Sequence, residues 1–313
     1  MKILVTGGAG FIGSHLVDSL IKNDHQILVI DDLSFGKKEY INPKADFIQL
    51  DIRDKQVEKV WADFAPEAVY HLAAQKNVRT SLENPRLDAD INILGALNVL
   101  QASIKAKAKK FIFVSSCGIY GDAKILPTDE LSLEKPLSPY ILNKLVFERY
   151  LKIIAEGKIN WSATRLANVY GPRQDPYGEA GVISIFLSNA IANKPVYIFG
   201  DGLQTRDFIY VADVVDALLG LLDKGKEIYN VGTGQETSIL DLLNKIKQIS
   251  AQDIKIENKE AIVGEVRRSA LDSSKIKNEI NWQSKFSLAK GLEFTYKWFH
   301  SQSGRLVGDE EGK

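Results

Sequence analysis

Short apolar runs alternate with longer stretches of mixed polarity along the first half of the chain. The apolar runs predict strands at Lys2–Thr6, Gln26–Ile30, Asp46–Leu50, Ala68–Leu72 and Lys110–Ser115, with helices near 11–23, 54–63, 85–107 and 139–156. Alternation of this kind is typical of a parallel sheet. Because nearly every strand residue is apolar, both faces of the sheet should be covered by helices. The pattern therefore predicts an α/β fold with a doubly wound parallel sheet.

The second half of the chain has shorter elements and more glycine and proline. A further strand is predicted at Ile159–Leu166, another at Ile254–Glu257, and a last helix near 288–300. The shorter elements and the higher content of glycine and proline after residue 168 indicate a second, smaller α/β domain. We expect the first domain to span 1–167 and to regain about 208–235, and the second to comprise 168–207 and 236–313.

Composition and charge exclude several classes of protein. The 313 residues include 40 basic and 40 acidic side chains, and 45% of the residues are hydrophobic. Such a neutral chain lacks the basic excess of a nucleic-acid-binding protein. The single cysteine, Cys117, excludes an internal disulfide and a cysteine-cluster zinc site, and we expect no metal. Without a bilayer-spanning run or an export signal, we expect a cytoplasmic protein and no membrane partner.

A glycine-rich turn joins the first predicted strand to the first helix. Glycines spaced Gly-x-x-Gly-x-x-Gly let the backbone approach a pyrophosphate, which binds the free amides of the helix N-terminus. A carboxylate after the second strand can accept both ribose hydroxyls and would repel a 2′-phosphate, so NAD is favoured over NADP. The predicted contacts are Gly7, Gly10, Phe11, Ile12, Gly13, Asp31 and, as the weaker candidate, Asp32.

Further cofactor contacts are predicted after the later strands. Asp51 could meet the adenine amino group, and Lys76 could pair with the phosphates. Small residues after the fourth strand suit a flat cofactor, whereas His71 is better interpreted as a core histidine. The remaining predicted contacts are Ile52, Leu72, Ala73, Ala74 and Asn92, together with the catalytic candidates Tyr140 and Lys144.

Tyr140 and Lys144 lie four residues apart in a predicted helix, which puts them on one face. A tyrosine with an ordinary pKa of about 10 is a poor base at neutral pH. We expect the ammonium, together with the positive nicotinamide of NAD⁺, to lower the pKa of Tyr140. Ser116, at the end of the fifth strand, could hold a substrate hydroxyl beside the phenol.

These motifs together resemble the extended short-chain dehydrogenase/reductase family. The resemblance rests on Gly7–Gly13, Asp31, His71–Ala74, Ser115–Gly121 and the Tyr140/Lys144 pair, and it spans nearly the whole chain. The segments 165–173 and 204–213 are similar to those of nucleotide-sugar epimerases and dehydratases in particular. The resemblance implies a Rossmann fold, bound NAD, a catalytic set of Ser116, Tyr140 and Lys144, and a homodimer formed through the helices at 85–107 and 138–156.

The residues after Ser116 discriminate between reactions within this family. Related dehydratases carry an Asp-Glu pair there and uronate decarboxylases a nearby glutamate, whereas this chain has Cys117 and Gly118. The resemblance therefore implies 4-epimerisation of a UDP-sugar. The alternatives are a UDP-glucuronate 4-epimerase or decarboxylase, a dTDP-sugar epimerase or reductase, and, from another class, a non-catalytic NAD(H)-binding regulator.

The substrate-binding half of the resemblance is less complete. It assigns substrate contacts to Ser116, Tyr140, Asn168, Val182, Arg206, Arg267 and Ser269. Ile262 stands where epimerases acting on UDP-glucose commonly have a second diphosphate-binding arginine, a loss that Arg267 or Arg268 could compensate. Ser269 stands at the size gate, where a small residue admits N-acetylated sugars.

Overall fold

The computed structural model describes residues 1–177, 181–262 and 264–302, and a seven-stranded parallel sheet forms its largest layer. In sheet order, the strands are β11 (Glu227–Val231), β6 (Asn160–Leu166), β5 (Lys110–Ser116), β4 (Ala68–His71), β1 (Lys2–Thr6), β2 (Gln26–Asp31) and β3 (Asp46–Gln49). All neighbouring strands of this sheet run parallel. The predicted doubly wound α/β fold is confirmed.

Helices cover both faces of the sheet. They are α1 (Phe11–Lys22), α2 (Gln56–Phe64), α3 (Val78–Glu83), α4 (Pro85–Ala89), α5 (Ala96–Lys105), α6 (Pro139–Ala155), α7 (Val182–Ile191), α8 (Val211–Lys224), α9 (Ile239–Ser250), α10 (Ser274–Ile280) and α11 (Leu288–Ser301). One apolar cluster joins the sheet to α1 and α8, and a second joins its other face to α2, α5 and α6.

The helix predicted at 85–107 is interrupted by a π-helical turn, Asp90–Gly95, between α4 and α5. A Cβ atom on Gly95 would lie 2.8 Å from side-chain carbons of Ile52, so only glycine permits this close packing. Helices α3 and α7–α10 are not among the elements that the sequence pattern predicts. Burial against other elements, rather than a strong local signal, stabilises most of them: α8 and α10 pack on the large sheet, and α7 and α9 pack in the second lobe.

The second lobe contains short strands and its own apolar cluster. The strands are β7 (Asn168–Tyr170), β8 (Val196–Phe199), β9 (Thr205–Arg206), β10 (Phe208–Tyr210), β12 (Thr237–Ser238) and β13 (Ile256–Lys259). Strand β13 begins two residues after its predicted start and pairs with β8. The cluster draws residues from 170 to 299, while β11 and α8 return to the large sheet. On this basis we propose that the chain divides at the boundaries given above.

The order of the strands places a crevice at the carboxyl end of β1. From β1 the sheet extends to β2 on one side and to β4 on the other, so the connections leave in opposite directions. Ligands of doubly wound sheets bind at such a switch point. Within the described ranges, no helix has the length and apolar character needed to cross a membrane, and no group of three or more His, Cys, Asp and Glu side chains could hold a metal ion.

Candidate active site

A cavity of about 380 Å³ opens at this crevice. It brings together most of the residues predicted to bind the cofactor or to act in catalysis: Gly7, Gly10, Phe11, Ile12, Gly13, Asp31, Asp32, Asp51, Ile52, Leu72, Ala73, Ala74, Lys76, Ser116, Tyr140 and Lys144. Residues far apart in sequence meet here because the carboxyl ends of parallel strands share one edge of the sheet.

The glycine turn at Gly7–Gly13 leaves space for a ligand close to its own backbone at one end of the cavity. Gly7 has a φ of +73°, and the Gly10 amide donates to the Gly7 carbonyl at 3.1 Å. A Cβ atom on Gly13 would lie 2.1 Å from the Gly7 oxygen, so a side chain there is excluded. Gly10 is the N-cap of α1 and contributes no capping side chain. The helix N-terminus is therefore open to an anion, as a pyrophosphate requires.

Asp31 is fixed at the same end of the cavity. Its side chain is 7% exposed, and its two oxygens accept hydrogen bonds from the backbone amides of Ala9 (3.0 Å) and Leu33 (2.9 Å). Burial raises the pKa of this carboxyl group. A carboxylate has about four acceptor sites, so it can still accept from two ribose hydroxyls. Asp32 instead closes a local turn, accepting from the Ser34 amide at 2.9 Å.

Arg53 is a residue of this region that the sequence analysis missed. Its guanidinium donates to Asp51 from Nε at 3.0 Å and from a terminal nitrogen at 2.6 Å, which lowers the pKa of Asp51. The only available signal for Arg53 was its position two residues after Asp51.

The Lys76 ammonium lies 5.3 Å from the centre of the Phe35 ring, and both residues line the cavity.

Asn92 does not belong to the cavity wall. Its side chain is 4% exposed, accepts from the Gln75 amide at 3.0 Å and donates to the Gln75 carbonyl at 2.9 Å. The structure thus places Asn92 behind the lining segment, where it holds the Gln75 backbone.

Helix α6 positions Tyr140 and Lys144. Ser138 caps the helix by accepting from the Ile141 amide at 3.3 Å. One turn apart, the two side chains face the same way: Lys144 Nζ lies 5.9 Å from the centre of the Tyr140 ring and donates to the Val114 carbonyl at 3.0 Å. Ser116 ends the neighbouring strand β5, and its Oγ accepts from the Gly118 amide at 3.1 Å. Strand and helix together place a hydroxyl, a phenol and an ammonium on one wall.

Burial of Tyr140 acts against the lowering of its pKa that we expect when Lys144 and NAD⁺ act together. Burial raises the pKa of Tyr140 to about 12, with further contributions from the charges of Asp88 and Cys117. Burial also lowers the pKa of Lys144 to about 8, and Asp88 and Glu148 oppose this change. Desolvation dominates at both groups, so activation of the phenol depends on positive charge beyond that of Lys144.

His71 and Cys117 have structural environments. The His71 ring is 1% exposed, its Nδ1 lies 2.7 Å from Thr6 Oγ, and burial lowers the pKa of His71 to about 3. Burial raises the pKa of the Cys117 thiol to about 11. A neutral imidazole and a protonated thiol are the forms expected of packed residues, as predicted above for His71.

The predicted substrate contacts lie outside the cavity wall, apart from Ser116 and Tyr140. Asn168 is exposed and is followed by Val169, which lines the cavity, while Val182 follows Gly181, which also lines it. The Ser269 hydroxyl lies near the Cys117 thiol, where it opposes the rise in the pKa of that thiol, and Cys117 directly follows Ser116.

Each arginine of this region already has a carboxylate partner. Arg206 forms an ion pair with Glu265 at 2.8 Å. This structural role competes with a role of Arg206 in binding the substrate. Arg267 donates two hydrogen bonds, of 2.8 and 2.7 Å, to Asp201. The third pair is Arg268 with Glu236. Ile262 is 48% exposed. A bound diphosphate would therefore have to share or displace these carboxylates.

Comparison with known proteins identifies the family. Residues 3–232 match the model of the NAD dependent epimerase/dehydratase family. A putative UDP-glucose 4-epimerase of Methanocaldococcus jannaschii is 46% identical over 304 residues, covering 96% of this chain and 99% of the relative. The crystal structure of the Thermotoga maritima UDP-glucose 4-epimerase with UDP-glucose superposes with a TM-score of 0.95 at 45% identity, covering 96% of this chain and 99% of that one. The UDP-N-acetylglucosamine 4-epimerase of Methanobrevibacter ruminantium M1, in complex with UDP-N-acetylmuramic acid, gives a TM-score of 0.92 at 35% identity, with 96% and 98% covered. This chain belongs to the NAD-dependent epimerase/dehydratase family.

Proposed function

We propose that this protein is an NAD-dependent isomerase that interconverts UDP-sugars at C4. The observation that carries the proposal is the grouping of Ser116, Tyr140 and Lys144 on the wall of a cavity whose other end holds the glycine turn and Asp31. Gly13, where a Cβ has no room, and the buried Asp31 carboxylate fit the pyrophosphate and ribose of NAD. Bound NAD supplies a reversible hydride acceptor for the C4 carbon.

Tyr140 is the acid/base of the proposed reaction. As a phenolate it removes the proton of the sugar 4-hydroxyl while C4 is oxidised to a ketone, and it returns the proton when C4 is reduced on its other face. Ser116 holds the reacting oxygen beside the phenol, and the Lys144 ammonium stabilises the phenolate. One acid/base suffices, because the sugar has no net change in oxidation state.

The residues beside Ser116 favour this reaction over elimination of water. A 4,6-dehydratase oxidises C4 and then eliminates water across C5 and C6, which needs a second proton carrier next to the sugar. This chain instead has Gly118 and the Cys117 thiol, which stays protonated because burial raises its pKa to about 11. Ser269 supports the acceptance of N-acetylated sugars alongside UDP-glucose and UDP-galactose, since it is a small residue at the position that the family resemblance identifies as the size gate.

A substrate panel tests the proposal. We expect purified protein, incubated without added NAD, to equilibrate UDP-glucose with UDP-galactose and UDP-N-acetylglucosamine with its C4 epimer, resolved by NMR. UDP-glucuronate and dTDP-glucose complete the panel. Accumulation of NADH, release of carbon dioxide, or no turnover of any sugar would contradict the proposal. Turnover of the plain hexose alone would contradict only the role of Ser269.

We further propose that the protein works as a cytoplasmic homodimer assembled through α6 and the helices at 85–105. The exposed face of α6 carries an apolar stripe at helical spacing, with Leu142 46%, Tyr150 40% and Ile153 72% exposed. Leu94, in the adjacent π-helical turn, is 59% exposed. Apolar faces of this extent on neighbouring helices are typical of an interface.

Ile153→Asp tests the interface. We expect this variant to elute as a monomer in size-exclusion chromatography with light scattering, whereas the wild type elutes as a dimer, because a charge on an apolar interface must be desolvated. Ile256→Asp is the matched control: Ile256 is 43% exposed on β13, away from these helices. A wild-type monomer, or a dimer unaffected by Ile153→Asp, would disprove the assignment.

A further inference from the structure

A buried carboxylate that the proposed mechanism does not use lies behind the catalytic helix. Asp88, in α4, has no exposed surface. One of its oxygens accepts from Asn143 Nδ2 at 2.6 Å, and the other accepts from Gln75 Nε2 at 2.6 Å and Asn92 Nδ2 at 3.0 Å. These three donors are neutral amides, so they solvate the carboxylate without cancelling its charge.

The hydrogen bonds of Asp88 connect the two walls of the cavity. Asn143 directly precedes Lys144 in α6. Gln75 lines the cavity in the segment that follows β4, and its backbone is held by Asn92. The carboxylate therefore links the segment that lines the cavity to the helix that carries Tyr140 and Lys144.

The charge of Asp88 also acts on both members of the catalytic pair. It raises the pKa of Tyr140 and opposes the fall in the pKa of Lys144. The other charged neighbour of Lys144, Glu148, is itself paired with the buried Arg165 at 2.7 Å. His71, with its pKa near 3, and Cys117, with its pKa near 11, are uncharged at neutral pH.

We propose that Asp88 is a positioning residue for the 4-epimerisation: its carboxylate joins the Gln75 segment to helix α6 and provides the negative charge opposite the Lys144 ammonium. The inference rests on the proposed function. A buried ammonium with no opposing charge tends to lose its proton, and a neutral Lys144 cannot stabilise the phenolate.

Asp88→Asn removes the charge with little change in shape. Because Asp88 raises the pKa of both groups, its loss should move both limbs of the pH profile of kcat to lower pH, by about 1 unit. On the alkaline side we expect kcat to fall about tenfold with KM little changed, since the site still binds the sugar. A purely structural defect would lower activity without moving both limbs in the same direction.

Two further variants separate charge from connection. Asn143→Ala keeps the negative charge of Asp88 but removes its hydrogen bond to α6. We therefore expect a lower kcat without the shift of the pH profile to lower pH. Asp216→Asn, in a surface pair with Lys285 at 2.8 Å, is the matched control and should leave the profile unchanged. Thermal unfolding establishes that each variant is folded; if Asp88→Asn does not fold, an unchanged kcat in Asn143→Ala overturns the proposal.

The pH dependence of NAD binding gives a readout that needs no turnover. We expect the affinity for NAD, measured by protein fluorescence, to weaken as the pH rises, and to do so at a lower pH in Asp88→Asn than in the wild type. The reason is that a neutral Lys144 is a weaker hydrogen-bond donor than the ammonium. A folded Asp88→Asn variant with unshifted profiles of kcat and NAD affinity overturns this inference. Failure of the wild type to epimerise any sugar instead overturns the proposed function, and the binding profile still tests Asp88.

Discussion

Replacing Tyr140 by Phe is expected to reduce turnover by about 10³-fold while NAD remains bound. The substitution removes only the phenolic oxygen, and positioned acid/base groups contribute about 10²- to 10⁴-fold. A loss of 10³-fold corresponds to about 4 kcal/mol of transition-state stabilisation. Single-turnover reduction of the bound cofactor by the sugar should fall in parallel, because the same proton must leave the 4-hydroxyl.

Tyr197→Phe is the control for this measurement. Tyr197 is 40% exposed on β8, outside the cavity and the proposed interface, so its replacement tests the cost of losing a phenol elsewhere. Cofactor content is measured by release of NAD from denatured protein. If Tyr140→Phe retained more than about a tenth of the wild-type kcat, another group would have to move the proton and the proposed role of Tyr140 would be wrong.

Gly13→Ala should strongly weaken the binding of NAD. The new Cβ would lie 2.1 Å from the Gly7 carbonyl oxygen and 2.9 Å from its carbonyl carbon, so the start of α1 must move away from the turn. The pyrophosphate site depends on the alignment of that turn with the helix N-terminus. We expect affinity to weaken by about 100-fold, or roughly 2.7 kcal/mol, together with a lower melting temperature.

Gly157→Ala distinguishes blockage of the site from general strain. Gly157 has a φ of +68° in the turn after α6, and a Cβ there would meet nothing within 4 Å. Its replacement should cost about 1 kcal/mol of stability because of the left-handed backbone, without altering NAD affinity. Equal NAD affinities for Gly13→Ala and the wild type, by isothermal titration calorimetry, would show that the turn does not bind the cofactor.

The sequence alone was sufficient for the fold class and for much of the cavity wall. Strands β1, β4 and β5 form at or within one residue of their predicted bounds, because apolar β-branched runs have few other ways to be buried. The glycine spacing and Asp31 fall together at the end of β1 and β2, since neighbouring parallel strands end at one edge. Tyr140 and Lys144 share a face because a helix turns every 3.6 residues.

Only the tertiary structure decided which charges face one another. Local patterns do not reveal that Arg206 pairs with Glu265, 59 residues away, or that Ser269 reaches Cys117. They also give no sign that Asp88 lies fully buried behind Lys144, or that burial raises the pKa of Tyr140 and so opposes the effect expected of Lys144 and NAD⁺. Periodicity specifies which face of an element is buried, whereas desolvation and ion pairing depend on what the other elements bring to that face.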